Sequence, residues 1–256
     1  MPEYLFHSNW LDTANVKKIF LFFDFDGTLV PIMKNPEDCY LSYELKEVFK
    51  ELKNKIKIGI ISGRDLKDLK KRVSIKGVYY SGSHGLYIEG PEIKYINPDA
   101  ERLKDYINKI YREVKKLNDK FLGMVVEKKE FSFALHYRQV DAKNRSTLKK
   151  LFSDIISNFN QDYIKILKGK MVFEVLPAVN WNKGSAVSFL ISHFKGEHLP
   201  VFVGDDITDE TVFSEINDKG LTVKVGYSKK TLAKYFIRNQ KEVYRFIKTL
   251  KEVLNA

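Results

Sequence analysis

Cysteine is almost absent from this chain: Cys39 stands alone among 256 residues, so no intrachain disulfide can form. A reducing, cytoplasmic location is the expectation. A nucleophilic thiol needs a base beside it, and none flanks Cys39. Long apolar runs are missing too. The longest are strand-length, short of the ~20 residues a membrane-spanning helix needs. The first ten residues, M-P-E-Y-L-F-H-S-N-W, lack a basic start leading into an apolar stretch, so no secretory signal is expected. Internal repeats and low-complexity segments are absent as well.

What remains is a globular profile. Apolar residues make up 44%, enough for a sizeable core, and charged residues 30%. The net charge is +11, which favours anionic partners. Nucleic acid is one such partner and phosphorylated metabolites are another. Most lysines fall on helix patterns such as L-K-E-V-F-K-E-L-K-N-K and read as solvated faces. No basic stripe accompanies a nucleic-acid motif, so binding to nucleic acid is not expected.

The chain alternates apolar strand and amphipathic helix. Residues 19–24, 56–61, 78–81, 199–203 and 221–225 read as buried parallel strands. Helical spacing marks 41–54, 66–73 (capped by Asp65), 183–194, a short helix capped by Thr208, and 240–254. The middle differs. After Gly90–Pro91 come a long helix, two strands, a second helix and two more strands. The expectation is a doubly wound parallel α/β core, residues 1–88 and 173–256, interrupted by an inserted α+β domain at 89–172.

In such sheets ligands bind at the carboxyl ends of strands. Four predicted strands end there in polar signals: D-F-D-G-T (24–28), S-G-R (62–64), S-G-S-H-G (81–85) and G-D-D-I-T-D-E (204–210). Lys183–Gly184 opens a helix just before the last of them. One site would gather Asp24, Asp26, Ser62, Lys183, Asp205 and Asp209. Carboxylates without thiolate or imidazole partners favour Mg²⁺. Side chains two apart on an extended chain point the same way, so Asp24 and Asp26 can face one reacting centre. One carboxylate can attack phosphorus and the other can exchange a proton. Gly27 permits a tight turn, and N–H groups near Gly27 and Thr28 can cradle an oxyanion.

D-F-D-G-T-L-V, S-G-R, S-G-S-H-G-L, V-E-K-K-E-F-S-F-A-L-H-Y-R, F-E-V-L-P-A-V-N-W-N-K-G and V-F-V-G-D-D-I-T-D-E, in this order, resemble the haloacid dehalogenase phosphatases. Within that superfamily the chain resembles the trehalose-6-phosphate phosphatase family, over roughly residues 19–250. The resemblance implies a HAD-like core with a cap. It implies Asp24 as nucleophile and Asp26 as general acid and then base, whose backbone carbonyl also ligates Mg²⁺. Ser62 and Lys183 would bind phosphate, and Asp205 would be the second acidic metal ligand. Asp206 and Asp209 would support them, Asp209 by positioning Lys183 or metal-bound water. Gly27, Thr28, Gly63, Arg64 and His84 would lie against the substrate. In the cap, Glu127, Lys129, Arg138, Lys170 and Glu174 match positions that hold glucosyl hydroxyls; His136 is left as structural.

Leu176 departs from the family, which commonly has a basic residue after E-V, and the Lys128–Lys129 segment varies. Both changes touch the sugar side. The implied reaction is Mg²⁺-dependent hydrolysis of trehalose 6-phosphate through an aspartyl-phosphate. Sucrose 6-phosphate, mannosyl-3-phosphoglycerate and glucosylglycerol phosphate stand as alternative substrates. The expected partner is a small sugar phosphate, with no nucleic acid and no membrane. A monomer is favoured, and association with a trehalose-phosphate synthase stays open.

Overall fold

The computed structural model describes residues 1–11, 18–33 and 36–255. It divides into two compact units, Met1–Tyr95 with Trp181–Ala256, and Ile96–Asn180. The first is built on a nine-stranded sheet. Across the sheet the strands run Glu3–Tyr4, Tyr235–Ile237, Leu221–Val225, His198–Gly204, Lys18–Phe23, Lys57–Ile61, Tyr79–Gly82, Tyr87–Gly90 and Ile93–Ile96. Pairing is parallel from Glu3–Tyr4 through Tyr79–Gly82, then antiparallel onto Tyr87–Gly90.

Lys18–Phe23 shows why a continuous apolar run belongs at the centre. Ile19, Leu21 and Phe23 pack with Leu45 and Phe49 of helix Tyr43–Leu52 and Phe246 of helix Gln240–Asn255. Phe20 and Phe22 point the other way, onto Ala186, Val187 and Leu190 of helix Lys183–His193 and Phe213 of helix Glu210–Ile216. Alternation places successive residues on opposite faces, so a strand between two helical layers must be apolar throughout. Each fully buried phenylalanine contributes about 1.5–3 kcal/mol of transfer free energy against the entropy of ordering it.

From Lys18–Phe23 the chain steps outward to one side; after the second unit it returns to the other side of the same strand. The reversal lies between Lys18–Phe23 and His198–Gly204, which pair from His198↔Lys18 to Val203↔Phe23. A doubly wound sheet opens a crevice where its strand order reverses.

The second unit holds a four-stranded antiparallel sheet, in the order Val125–Lys128, Phe133–His136, Val172–Pro177, Ile164–Gly169. Helices Pro98–Lys115 and Arg145–Ser157 bring Ile107, Ile110, Val114, Leu148, Phe152 and Ile156 onto Phe133, Leu135 and Val175. Asn97 caps the first helix, accepting from the N–H groups of Asp99 and Ala100, with Pro98 in its first turn.

The division falls at 95/96 and 180/181, not at the expected 88/89 and 172/173. Tyr87–Gly90 and Ile93–Ile96 extend the core sheet, where the sequence reading has no strands before the long helix. Val172–Pro177 stays with the second unit because it pairs on both sides there. Thr208 does not cap a helix: its hydroxyl donates to Asp206, and the turn Ile207–Asp209 precedes helix Glu210–Ile216. Among the described residues no helix is long and apolar enough to cross a membrane.

Candidate active site

The carboxyl ends of the two strands at the reversal carry Asp24 and Asp205. The Asp24 N–H donates to the Val203 carbonyl at 2.9 Å, so the two loops start in register. Gly27, at φ +87°, turns the first loop back. A Cβ at Gly27 would stand 2.2 Å from Oδ2 of Asp205, so any side chain there would displace that carboxylate. Thr28 is fully buried, and its hydroxyl donates to Oδ1 of Asp205 at 3.2 Å. It thus fixes Asp205.

Lys183 comes from the start of helix Lys183–His193, where the Asn182 side chain accepts from the Ser185 N–H at 3.1 Å. Its side chain is 3% exposed, and its ammonium donates to Oδ1 of Asp24 at 2.6 Å and to Oδ1 of Asp209 at 2.8 Å. Those two carboxylates raise Lys183 above its ordinary value against the opposing effect of burial. Burial first, then the charges of Asp209 and Asp205, push the Asp24 carboxyl up, while Lys183 pulls it down. Asp205 is pushed up to about 6 by burial and by Asp209.

Carboxylate oxygens of Asp24, Asp205 and Asp209 lie within 4.8 Å of one another. Three carboxylates crowd one contacting ammonium, and the donors are all oxygen: a set that fits a hard divalent cation. Asp209 is the least suited of the three. It is fully buried, Oδ1 is taken by Lys183, and Oδ2 accepts from the Asp206 N–H at 2.9 Å. Asp24 and Asp205 are therefore the pair that would hold the ion. Asp206 is exposed and enters through its backbone.

Ser62 and the 81–85 loop close the other flank. Ser62 is 2% exposed, and its hydroxyl accepts from the Arg64 N–H at 3.1 Å. The Ser83 and His84 N–H groups donate to the carbonyls of Arg64 and Ser62, at 2.7 and 3.0 Å. Ser83 and His84 both hold positive φ, 51° and 59°, a strain that clusters at functional sites. The His84 ring lies on Gly63, where a Cβ would meet Cε1 at 2.6 Å. Asp26 lies in this unit with its carboxylate gripped by the Arg64 guanidinium, Nε to Oδ2 and Nη2 to Oδ1, both 2.6 Å.

In the second unit, strand register puts Glu127, Ala134 and Glu174 side by side on the sheet face opposite the helices. Lys129 donates to Oε1 of Glu174 at 2.6 Å, and Ser132 donates to the same oxygen at 3.0 Å. His136 Nε2 lies 2.9 Å from Oε2 of Glu127. The hydrogen bond to His136, then the charge of Lys129, holds the Glu127 carboxyl below its ordinary value despite partial burial. Arg138 and Lys170 do not share hydrogen bonds with these groups; the Arg138 guanidinium donates to the Lys170 carbonyl at 3.4 Å, and both residues are exposed.

A family model described as trehalose-phosphatase matches residues 22–241. The chain belongs to the trehalose-phosphatase family. It is an enzyme of that family, a phosphatase on a HAD-like fold. Trehalose-phosphate phosphatase B of Arabidopsis thaliana is 30% identical over 258 residues, covering 94% of this chain and 68% of that protein. The crystal structure of a trehalose-6-phosphate phosphatase related protein superposes with TM-score 0.79 at 26% identity, covering 91% of this chain and 97% of that one. The C-terminal domain of the C. albicans trehalose-6-phosphate phosphatase gives TM-score 0.79 at 25% identity, covering 98% of each chain.

Sequence reading did not single out Lys224, Ser132 or Asp68, and it left His136 as structural. Lys224, 9% exposed, donates to the Asp205 carbonyl; a lysine inside the buried strand L-T-V-K-V was its signal. Ser132 and His136 join the polar face of the second unit. Asp68, bonded to Arg64 and Arg72, carried no signal beyond its place on a helix.

Proposed function

We propose that the chain hydrolyses trehalose 6-phosphate to trehalose and phosphate, with Mg²⁺ held by Asp24, Asp205 and the Asp26 backbone carbonyl. The observation that carries this reading is the buried Lys183 joining Asp24 to Asp209, with Asp205 within 4.8 Å, in a chain of this family. Asp24 attacks phosphorus, and the bond to the sugar oxygen breaks as the bond to Asp24 forms. Asp26 hands its proton to the departing oxygen and then takes one from the water that cleaves the aspartyl-phosphate. Lys183 and the Ser62 hydroxyl bind the phosphoryl oxygens, and Lys183 offsets their charge. The bound ion would add positive charge against the same oxygens. The Gly27 N–H is taken, donating to the Val30 carbonyl at 2.7 Å, so the Thr28 N–H is the one that cradles an oxyanion, with Gly63 and His84 beside it. Glu127, Lys129 and Glu174 read the sugar hydroxyls, with Arg138 and Lys170 as further contacts.

The test is phosphate release from trehalose 6-phosphate, with and without EDTA, for wild type and Asp24→Asn. Release is expected to need the metal and to disappear in the variant; equal rates would end the nucleophile assignment. A panel of sucrose 6-phosphate, mannosyl-3-phosphoglycerate and glucosylglycerol phosphate, ranked by kcat/KM, tests the sugar. Buried Leu176 gives the panel its purpose, since a hydrocarbon stands where relatives commonly carry a basic group.

A further inference from the structure

We propose that Arg64 is a positioning residue that aims the Asp26 carboxyl at the leaving oxygen, and that Asp68 and Arg72 anchor it. The proposal deepens the phosphatase reading above and rests on it. Sequence reading placed Arg64 against the substrate. The structure instead directs each of its three guanidinium nitrogens at a carboxylate. Nε and Nη2 grip the two oxygens of Asp26, and Nη1 donates to Oδ2 of Asp68 at 3.0 Å. Oδ2 of Asp68 also accepts from Nε of Arg72 at 2.6 Å. Arg72, only 7% exposed at its side chain, is tied in turn to the Glu37 and Cys39 carbonyls at 2.7 and 3.2 Å. The Arg64 guanidinium also lies 5.5 Å from the centre of the Phe25 ring, the residue between the two catalytic aspartates. The chain of contacts therefore runs from the reacting carboxyl into helix Leu66–Val73 and the segment before Tyr40.

This geometry suits aiming a carboxyl. A bidentate fork fixes the carboxylate plane as well as its distance, which a single ammonium cannot do. It uses one lone-pair direction on each oxygen and leaves another on each. A proton can therefore sit on Asp26 and pass to the sugar oxygen without breaking the fork. As the phosphorus–oxygen bond breaks, its electron pair stays on that oxygen, which takes the proton, while Arg64 retains the carboxylate anion. Misplacement by about 1 Å is enough to cost about 10²-fold in such a transfer.

The leaving group separates aiming from binding. A sugar alkoxide needs the proton; the phenolate of 4-nitrophenyl phosphate leaves without it. Up to the first irreversible step, kcat/KM for the aryl ester is insensitive to the acid. Arg64→Met should lower kcat/KM for trehalose 6-phosphate about 10²-fold, chiefly through kcat, and that for the aryl ester less than about 3-fold. Arg64→Lys keeps the charge without the fork and should resemble Arg64→Met. Asp68→Asn, whose side chain among the described residues is bonded by the two arginines, should show the same selective loss at about 5- to 10-fold; it carries the test if Arg64→Met fails to fold. Equal losses on both substrates, a raised KM with kcat kept, or no loss would each overturn the proposal. A wild-type chain active on the aryl ester but on no sugar phosphate would sink the substrate reading, and the proposal with it.

Discussion

Lys183 is the residue on which the site balances. Its buried side chain has two carboxylates to satisfy, Asp24 and Asp209. Removing one partner of such a group leaves uncompensated buried charge, which typically costs about 3–5 kcal/mol. Lys183→Met should therefore destabilise the fold by about that amount in urea unfolding, and Asp24→Asn added to it should recover part of the loss. Additive destabilisation in the double variant would show that the two do not interact. The sequence made Lys183 visible through its N-K-G setting and Asp24 through D-F-D-G-T. It did not show that Thr28 spends its hydroxyl on Asp205, or that Lys224 reaches the Asp205 carbonyl, since those partners lie 177 and 19 residues away. Spacing along the chain reports neighbours on one element; partners across a sheet depend on register.

Helix Leu66–Val73 and the second sheet show what elements add. Asp65 caps that helix as its spacing predicts, accepting from the Lys67 N–H. The inward side of the helix carries Asp68 to Arg64 and Arg72. Burial alone would raise the Asp68 carboxyl, but the bonds from Arg72 and Arg64 hold it below its ordinary 3.8. A depressed carboxyl contributes stability that is full above the unfolded value and is lost as pH falls through the folded one. The stability difference between wild type and Asp68→Asn should thus be constant above about pH 5 and shrink below about pH 4, measured by chemical unfolding. A difference that grows on acidification would contradict the pairing. In the second unit, Glu127→Gln and Glu174→Gln should raise KM for trehalose 6-phosphate about 10-fold or more while 4-nitrophenyl phosphate turnover stays within about 2-fold. Equal effects on both esters would remove the sugar-reading role. Long apolar strands were legible because burial on both faces forces a continuous run. Tyr87–Gly90 and Ile93–Ile96 were not, because four-residue strands with half-buried, mixed side chains match no period well. The same holds for the short strands Glu3–Tyr4 and Tyr235–Ile237, which pair although they lie far apart in sequence.

At the scale of the whole molecule the net charge of +11 and the acidic site pull in opposite directions. The surplus of lysine and arginine draws anionic substrates through the summed field. The site itself gathers Asp24, Asp205 and Asp209 with one ammonium between two of them, and Asp205 is raised to about 6 by burial and then by the charge of Asp209. A folded chain that keeps three carboxylates together without a cation holds unfavourable energy, and a cation bound only to the folded form relieves it by mass action. Saturation at a hundredfold over the dissociation constant adds about 2.7 kcal/mol. For a chain of this length each kcal/mol shifts Tm by about 2–4 °C, so Mg²⁺ should raise the melting temperature by roughly 5–10 °C. Asp205→Asn removes one ligand and one of the repelling charges together. It should melt higher than the metal-free wild type and respond little to Mg²⁺. This pairing of outcomes distinguishes a cation site from general salt stabilisation, which would raise both proteins alike. Thermal melts of the two, in EDTA, in Mg²⁺ and in matched NaCl, decide it; equal Mg²⁺ shifts would mean that the acidic cluster does not hold the ion.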